Sequence, residues 1–146
     1  ALRGIDRNFS EKEFISGAKS AFEMILTAYA EGDLAQLRRL LGYDLLQSFT
    51  SSIESRIASK ESLSITLDEL REVSILNISV MDQIASITVH FHSVQTRIAK
   101  DKNDEPIDVE DNSAREFTDI WTFERDLTSS DPNWKLTEME SADDDE

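Results

Sequence analysis

The chain's two histidines, His90 and His92, stand two residues apart in the run Thr88-Val89-His90-Phe91-His92. That spacing puts both imidazoles on one face of an extended strand, together with Thr88. Two imidazoles so placed can ligate a metal, with Asp119 as an oxygen ligand if its strand lies alongside. They can also supply an acid–base pair, His90 or His92 with Asp119. Against both stands the plain reading, two solvated residues on the polar face of a half-buried sheet. Ala85, Ile87, Val89 and Phe91 fill the alternate positions and already make a core face, which favours the plain reading. No metal or cofactor is expected.

Other chemistry-bearing runs are weaker. DKNDEPIDVEDN, residues 101–112, alternates Asp101, Asn103 and Glu105 as a calcium loop does. Pro106 occupies the turn position that needs glycine, and Asn112 stands where a bidentate glutamate belongs, so a solvated loop is the better reading. Glu124, Arg125 and Asp126 with Asp119 read as surface charges. No phosphate-binding glycine loop, nucleophile elbow or H-E-x-x-H motif is present, and with only four glycines a nucleotide site is not expected. The aromatic residues are more suggestive. Trp121 and Trp134 flank a turn-rich connector, on what read as neighbouring antiparallel strands, close enough for cross-strand packing. Burying an indole N–H without a partner is costly, which fits tryptophans that line a pocket rather than fill a core.

Charge sets which partners are possible. Residues 1–60 hold eight acids and eight bases, whereas residues 61–146 hold 22 acids and seven bases. Such acidity excludes nucleic acid, whose phosphates need clustered Lys and Arg. It also keeps the C-terminal half off an anionic membrane, an objection the neutral N-terminal half escapes. No apolar run reaches the roughly 20 residues that span a bilayer. The start at Ala1, without a signal-peptide pattern, reads as a domain cut from a longer chain.

The elements that must position these residues fall into two halves. Ser10 and Glu13 form a capping box, and Phe9 with Phe14 a hydrophobic staple. Phe14, Ala18, Ala21, Phe22, Ile25, Ala28 and Tyr29 follow at helical spacing, and Gly32 ends the helix. Asp33 caps a short helix burying Leu34, Leu37, Leu40 and Leu41. A third helix, from about Asp44 to Lys60, carries Leu46, Phe49, Ile53 and Ile57 on one side. The period then changes to two. Leu63, Ile65 and Leu67 alternate as a strand; Val73 and Ile75, then Ile78 and Val80, alternate with a slip that signals a bulge. Met81-Asp82-Gln83 is a tight connection into the strand of His90. Phe117–Phe123 and Asn133–Met139 are the last strands. Helices first and an antiparallel meander afterwards predict an α+β domain with N-terminal helices packed on one face of a curved antiparallel sheet.

FISGAKSAFEMILTAYAEGDLAQLRRLL (14–41), VHFHSVQTRIAKDKNDEP (89–106) and FTDIWTFERDLTSSDPNWKL (117–136) resemble the Tim44-like family, the W-T-F-E-R version being closer to its bacterial branch. The resemblance implies a cone-shaped fold like that of nuclear transport factor two, with a large pocket. It further implies a non-enzymatic scaffold domain peripheral to the inner membrane, on the cytoplasmic face in a bacterium or the matrix face in a mitochondrion. A link to protein translocation or membrane-protein assembly, with a protein partner from that machinery, belongs to the same implication. The family's chaperone-recruiting segment lies upstream and is absent here, so motor tethering does not carry over.

On this basis residues 1–9 are the remnant of a membrane-proximal segment, 10–139 the domain and 140–146 an acidic disordered tail. Phe22, Ile25, Trp121, Phe123 and Trp134 are expected to line a hydrophobic pocket for a lipid tail or a partner's apolar side chain. Leu2, Arg3, Ile5 and Arg7 are expected to contact anionic membrane lipid. The alternative is a pocket enzyme of the same fold, isomerase- or dehydratase-like, using His90 or His92 with Asp119.

Overall fold

A computed structural model describes residues 10–107, 113–131 and 133–141. The readings made for residues 1–9, including the Phe9 half of the staple, and for 108–112 and 142–146 lie outside the described residues. Three helices, α1 (Glu11–Glu31), α2 (Leu34–Leu40) and α3 (Tyr43–Ala58), precede four strands, β1 (Ser62–Met81), β2 (Ile84–Lys100), β3 (Arg115–Asp126) and β4 (Lys135–Ser141). The strands form one antiparallel meander in the order β1-β2-β3-β4. Helices on a sheet of this kind make the domain α+β, as the change of hydrophobic period implies.

The helix signals act where the sequence puts them. Ser10 Oγ accepts from the Glu13 amide at 3.3 Å, filling one of the amides left open at the start of α1. Gly32 ends α1 with φ of 75°, and the next amide, of Asp33, returns to the Ala28 carbonyl at 2.8 Å. Asp33 then caps α2 by accepting from the Gln36 amide. Gly42 starts α3 against β4: its amide donates to the Leu136 carbonyl at 2.8 Å, and a Cβ there would lie 3.1 Å from Thr137 Cγ2. The one misplaced helical residue is Ile57, which is 65% exposed near the end of α3 and stands outside the core, whereas Ile53 is buried.

β1 is one strand of 20 residues rather than two shorter runs. Its apolar residues keep to one face because the register slips three times, between Leu67 and Glu69, Leu70 and Glu72, and Ile75 and Asn77. Each slip inserts an extra residue and so restores the inward parity that strict alternation would lose. The break between Ile75 and Ile78 signals the last slip, and the three-residue intervals from Leu67 to Leu70 and from Leu70 to Val73 mark the other two. Asp82 and Gln83 take φ of 52° and 68° in the turn to β2, the paired left-handed geometry that suits a two-residue hairpin loop.

Pairing partners define the two faces of the sheet. Ile87, Val89 and Phe91 of β2 stand opposite Ile78, Ile75 and Val73 of β1 and opposite Phe123, Trp121 and Asp119 of β3. This inward face meets Ala18, Phe22, Ile25, Leu26 and Ala28 of α1, with Leu37, Leu41 and Ile53 from the other helices, in a single core. The last strand runs to Ser141, so Glu140 and Ser141 pair with Ile120 and Asp119 and belong to the sheet rather than to the acidic tail.

Candidate functional site

The aromatic group forms the centre of the inward face. Phe22 stacks on Phe91 with ring centroids 4.4 Å apart and meets Trp121 at 4.7 Å; Trp121 lies 5.3 Å from Phe91 and 6.3 Å from Phe123. Phe22, Ile25, Trp121 and Phe123 are sealed from solvent, at 3% exposure or less. Four of the five residues read as pocket lining are therefore packed against one another. The fifth, Trp134, is half-buried and rests edge-on against Phe14 at 5.2 Å. The two tryptophans do not face each other across strands: Met139 stands opposite Trp121, and Trp134 precedes β4. A bulge at Thr122/Phe123 sets that register. Trp121 Nε1 is buried without a hydrogen-bond partner among the described residues, a placement that costs stability unless an acceptor reaches it.

Histidine and aspartate are separated by the sheet itself. His90 pairs with Ile120 and His92 with Thr118, whereas Asp119 pairs with Phe91. Side chains alternate, so Asp119 points to the core face and both imidazoles to the opposite one. The acid–base pair of His90 or His92 with Asp119 is thereby ruled out, as is a metal site built from the three. The partner that His92 does have was not evident from spacing. Its Nε2 lies 3.0 Å from Glu116 Oε1, and Arg71 joins Glu116 to Glu69 at 3.2 Å on each side. Arg71 is the extra residue of a β1 bulge, which frees its side chain to reach across β2. The hydrogen bond from His92, and then the charge of Arg71, hold the Glu116 carboxyl below the usual glutamate range.

The acidic loop closes on itself. Asp101 Oδ1 accepts from the amides of Asn103 and Glu105, and the Ile107 amide returns to the Ala99 carbonyl. Asp126 likewise accepts from the amide and hydroxyl of Thr128, which lowers its carboxyl's pKa. Among the described residues no three His, Cys, Asp or Glu side chains are grouped to hold a metal.

What the sequence reading missed lies further along β2. Beyond Phe91 the inward positions turn polar: Ser93 is 0% and Gln95 1% exposed, the two buried polar side chains among the described residues. Arg97 Nε donates to Gln95 Oε1 at 2.9 Å, and Gln95 Nε2 donates to Ser93 Oγ at 3.0 Å. The Arg97 guanidinium also lies 4.8 Å from the Phe117 ring, with that of Arg115 at 5.5 Å from the same ring. The signal was available, since Ser93, Gln95 and Arg97 continue the parity of 85, 87, 89 and 91. A polar residue at a core position is the informative kind.

A family model described as Tim44-like domain matches residues 1–141. The chain belongs to the Tim44-like domain family. Among solved structures this Tim44-like domain is similar to the intermembrane space region of the chloroplast protein ARC6, with a TM-score of 0.57 and 15% identity over 87% of this chain and 95% of that one. At that identity the likeness concerns the fold. A conserved protein from Planctomyces limnophilus DSM 3776 matches with a TM-score of 0.42 and 14% identity over 90% of this chain and 98% of that one. No curated protein matches the sequence significantly. No helix among the described residues of the domain is long and apolar enough to cross a membrane.

Proposed function

We propose that this Tim44-like domain is a non-catalytic binding and scaffold module, peripheral to an inner membrane. It faces the cytoplasm if bacterial, or the matrix if mitochondrial, and serves a translocation or membrane-protein assembly machinery. The observation that supports it most is the extent of the family match, which starts at residue 1 and so takes in Leu2, Arg3, Ile5 and Arg7. Those residues are the part of the domain suited to anionic lipid, because they combine two cations with aliphatic side chains. They lead into α1, whose first turns carry Phe14 against the half-buried Trp134. The proposed membrane contact is therefore assigned to the N-terminal side of α1. The acidic β half then turns toward water.

In this reading the sealed group of Phe22, Ile25, Trp121 and Phe123 is a floor. An apolar group, a lipid tail or a partner's side chain, packs against its half-buried flanks on the inward side of the sheet. Catalysis gains no support from the separation of His90 and His92 from Asp119 by the sheet.

Flotation with liposomes tests the membrane contact. Each Arg near an anionic surface contributes roughly 1 kcal/mol, so replacing Arg3 and Arg7 by Gln lowers binding to cardiolipin-containing vesicles by roughly thirtyfold. Neutral vesicles are bound weakly throughout. Equal, tight flotation after deletion of residues 1–9 would place the contact elsewhere and overturn the orientation.

A further inference from the structure

The two edges of the sheet differ in their fitness to take another strand. β1, at one edge, slips in register three times, and each slip breaks the regular row of backbone groups that a new strand would need. β4, at the other edge, slips once, beside Thr122/Phe123, and then pairs without interruption from Glu138 to Ser141. Its outer side already takes one partner. Leu41 forms a parallel bridge with Leu136, and the Gly42 amide donates to the Leu136 carbonyl at 2.8 Å. There the chain turns away into α3, so among the described residues no strand or bridge lies on the outer side of residues 137–141. Alternate amides and carbonyls of that stretch point away from β3.

Side chains along this edge define what pairs with it. Met139 stands opposite Trp121 and so faces inward, yet Trp121 is 1% exposed and Met139 39%. Tyr43, which follows Gly42 where the edge opens, is 74% exposed. Glu138 and Glu140 stand opposite Thr122 and Ile120 on the outward face, are exposed, and form no ion pair among the described residues. From Glu138 to Glu146 the sequence holds six acids and no base. A second copy of β4 laid on this edge would set carboxylates beside carboxylates, which is destabilising. A strand in which basic and apolar residues alternate fits instead. Its cations would lie beside Glu138 and Glu140 on the outward face, and its apolar side chains beside Met139 on the inward one, because paired strands share their faces.

We propose that the outer edge of β4 docks an extended segment of a protein partner, with alternating basic and apolar residues, as a fifth strand of the sheet. This goes beyond the scaffold reading by assigning the surface and the chemistry of the partner, and it does not depend on the membrane contact.

Fluorescence anisotropy with a labelled peptide of alternating lysine and valine, long enough to line residues 137–141, tests the docking in the absence of lipid. The expected result is saturable binding at least tenfold tighter than that of a peptide with the same lysines and valines in separate blocks. N-methylation of every peptide amide keeps the side chains, removes the main-chain donors and lowers affinity at least tenfold. Glu138→Lys combined with Glu140→Lys weakens the lysine peptide by about tenfold and strengthens an alternating glutamate–valine peptide by a similar factor, the effect of two cross-strand charge pairs. Thermal unfolding verifies that this variant is folded. Equal binding of the block peptide, or binding indifferent to N-methylation, reduces the contact to attraction between net charges and overturns strand docking. An unaltered preference in the double variant places the peptide elsewhere and overturns it too. A protein that sediments as a dimer and leaves the peptide unbound gives the edge to a second copy, with the same consequence. Each of these failures leaves the membrane contact standing.

Discussion

Phe22→Ala is the most direct test of whether the aromatic group is a packed floor or an open wall. The ring is 0% exposed, stacked on Phe91 at 4.4 Å and tilted against Trp121 at 4.7 Å. Truncating a phenylalanine so enclosed removes its transfer free energy and leaves a cavity that rigid neighbours fill incompletely, a loss of about 3–5 kcal/mol. With an unfolding entropy of roughly 2.1 cal/mol/K per residue, a chain of 146 residues loses about 0.3 kcal/mol per degree, so Tm falls by about 10–16 °C. Calorimetry measures the shift, and urea denaturation of the same variant gives the free energy. Emission in a Trp134→Phe background isolates Trp121, whose spectrum moves to longer wavelength as water enters the space left by the ring. A loss below about 1 kcal/mol would mean that the ring makes no enclosing contacts, since that is the range of a surface change. The sealed centre of the inward face would then be wrong.

Two further outcomes follow from local structure. The Glu116 carboxyl is held down by His92 and Arg71, so its stabilising contribution is present above the ordinary glutamate value of about 4.3 and disappears as pH falls through the lower folded value. Urea denaturation of wild type and Glu116→Gln will therefore differ at pH 5.5 and converge toward pH 3; a gap that widens on acidification would contradict the cluster. Gly32 and Gly17 should respond to alanine with opposite signs. Gly32→Ala costs about 1–2 kcal/mol, because φ of 75° disfavours any Cβ although the nearest atom, Ile53 Cγ2, is an acceptable 3.4 Å away. Gly17→Ala adds roughly 0.5–1 kcal/mol, since it lies in an exposed stretch of α1 with nothing within 4 Å of a new Cβ. Thermal melts of the two variants moving in the same direction would refute the argument.

Much of this domain was written locally. Ser10, Gly32 and Asp33 mark helix ends because each satisfies backbone groups within a few residues of itself, and such bonds need no distant partner. The alternation of 85, 87, 89 and 91 named a core face, and the structure buries all four residues. Family resemblance carried the fold further than periodicity did, through segments that the match over residues 1–141 includes.

Register was not local. Whether Asp119 meets His92 or Phe91 depends on how β3 slides along β2, and a slip of one residue exchanges the two faces. That choice ended the acid–base reading and put Trp121 in the core. The bulge at Thr122/Phe123 set Met139 opposite Trp121 and left Trp134 beside Phe14, a contact 120 residues apart along the chain that no spacing rule reaches. The buried polar run of β2 was half legible. Ser93, Gln95 and Arg97 advertise their inward parity in sequence, but their burial and the hydrogen bonds between them appear only once β2 is paired with β1 and β3. Short-range hydrogen bonds and periodicity fixed the elements of this protein. The pairing of strands far apart in sequence decided which side chains face inward together, and with that the chemistry of the sheet's inward face.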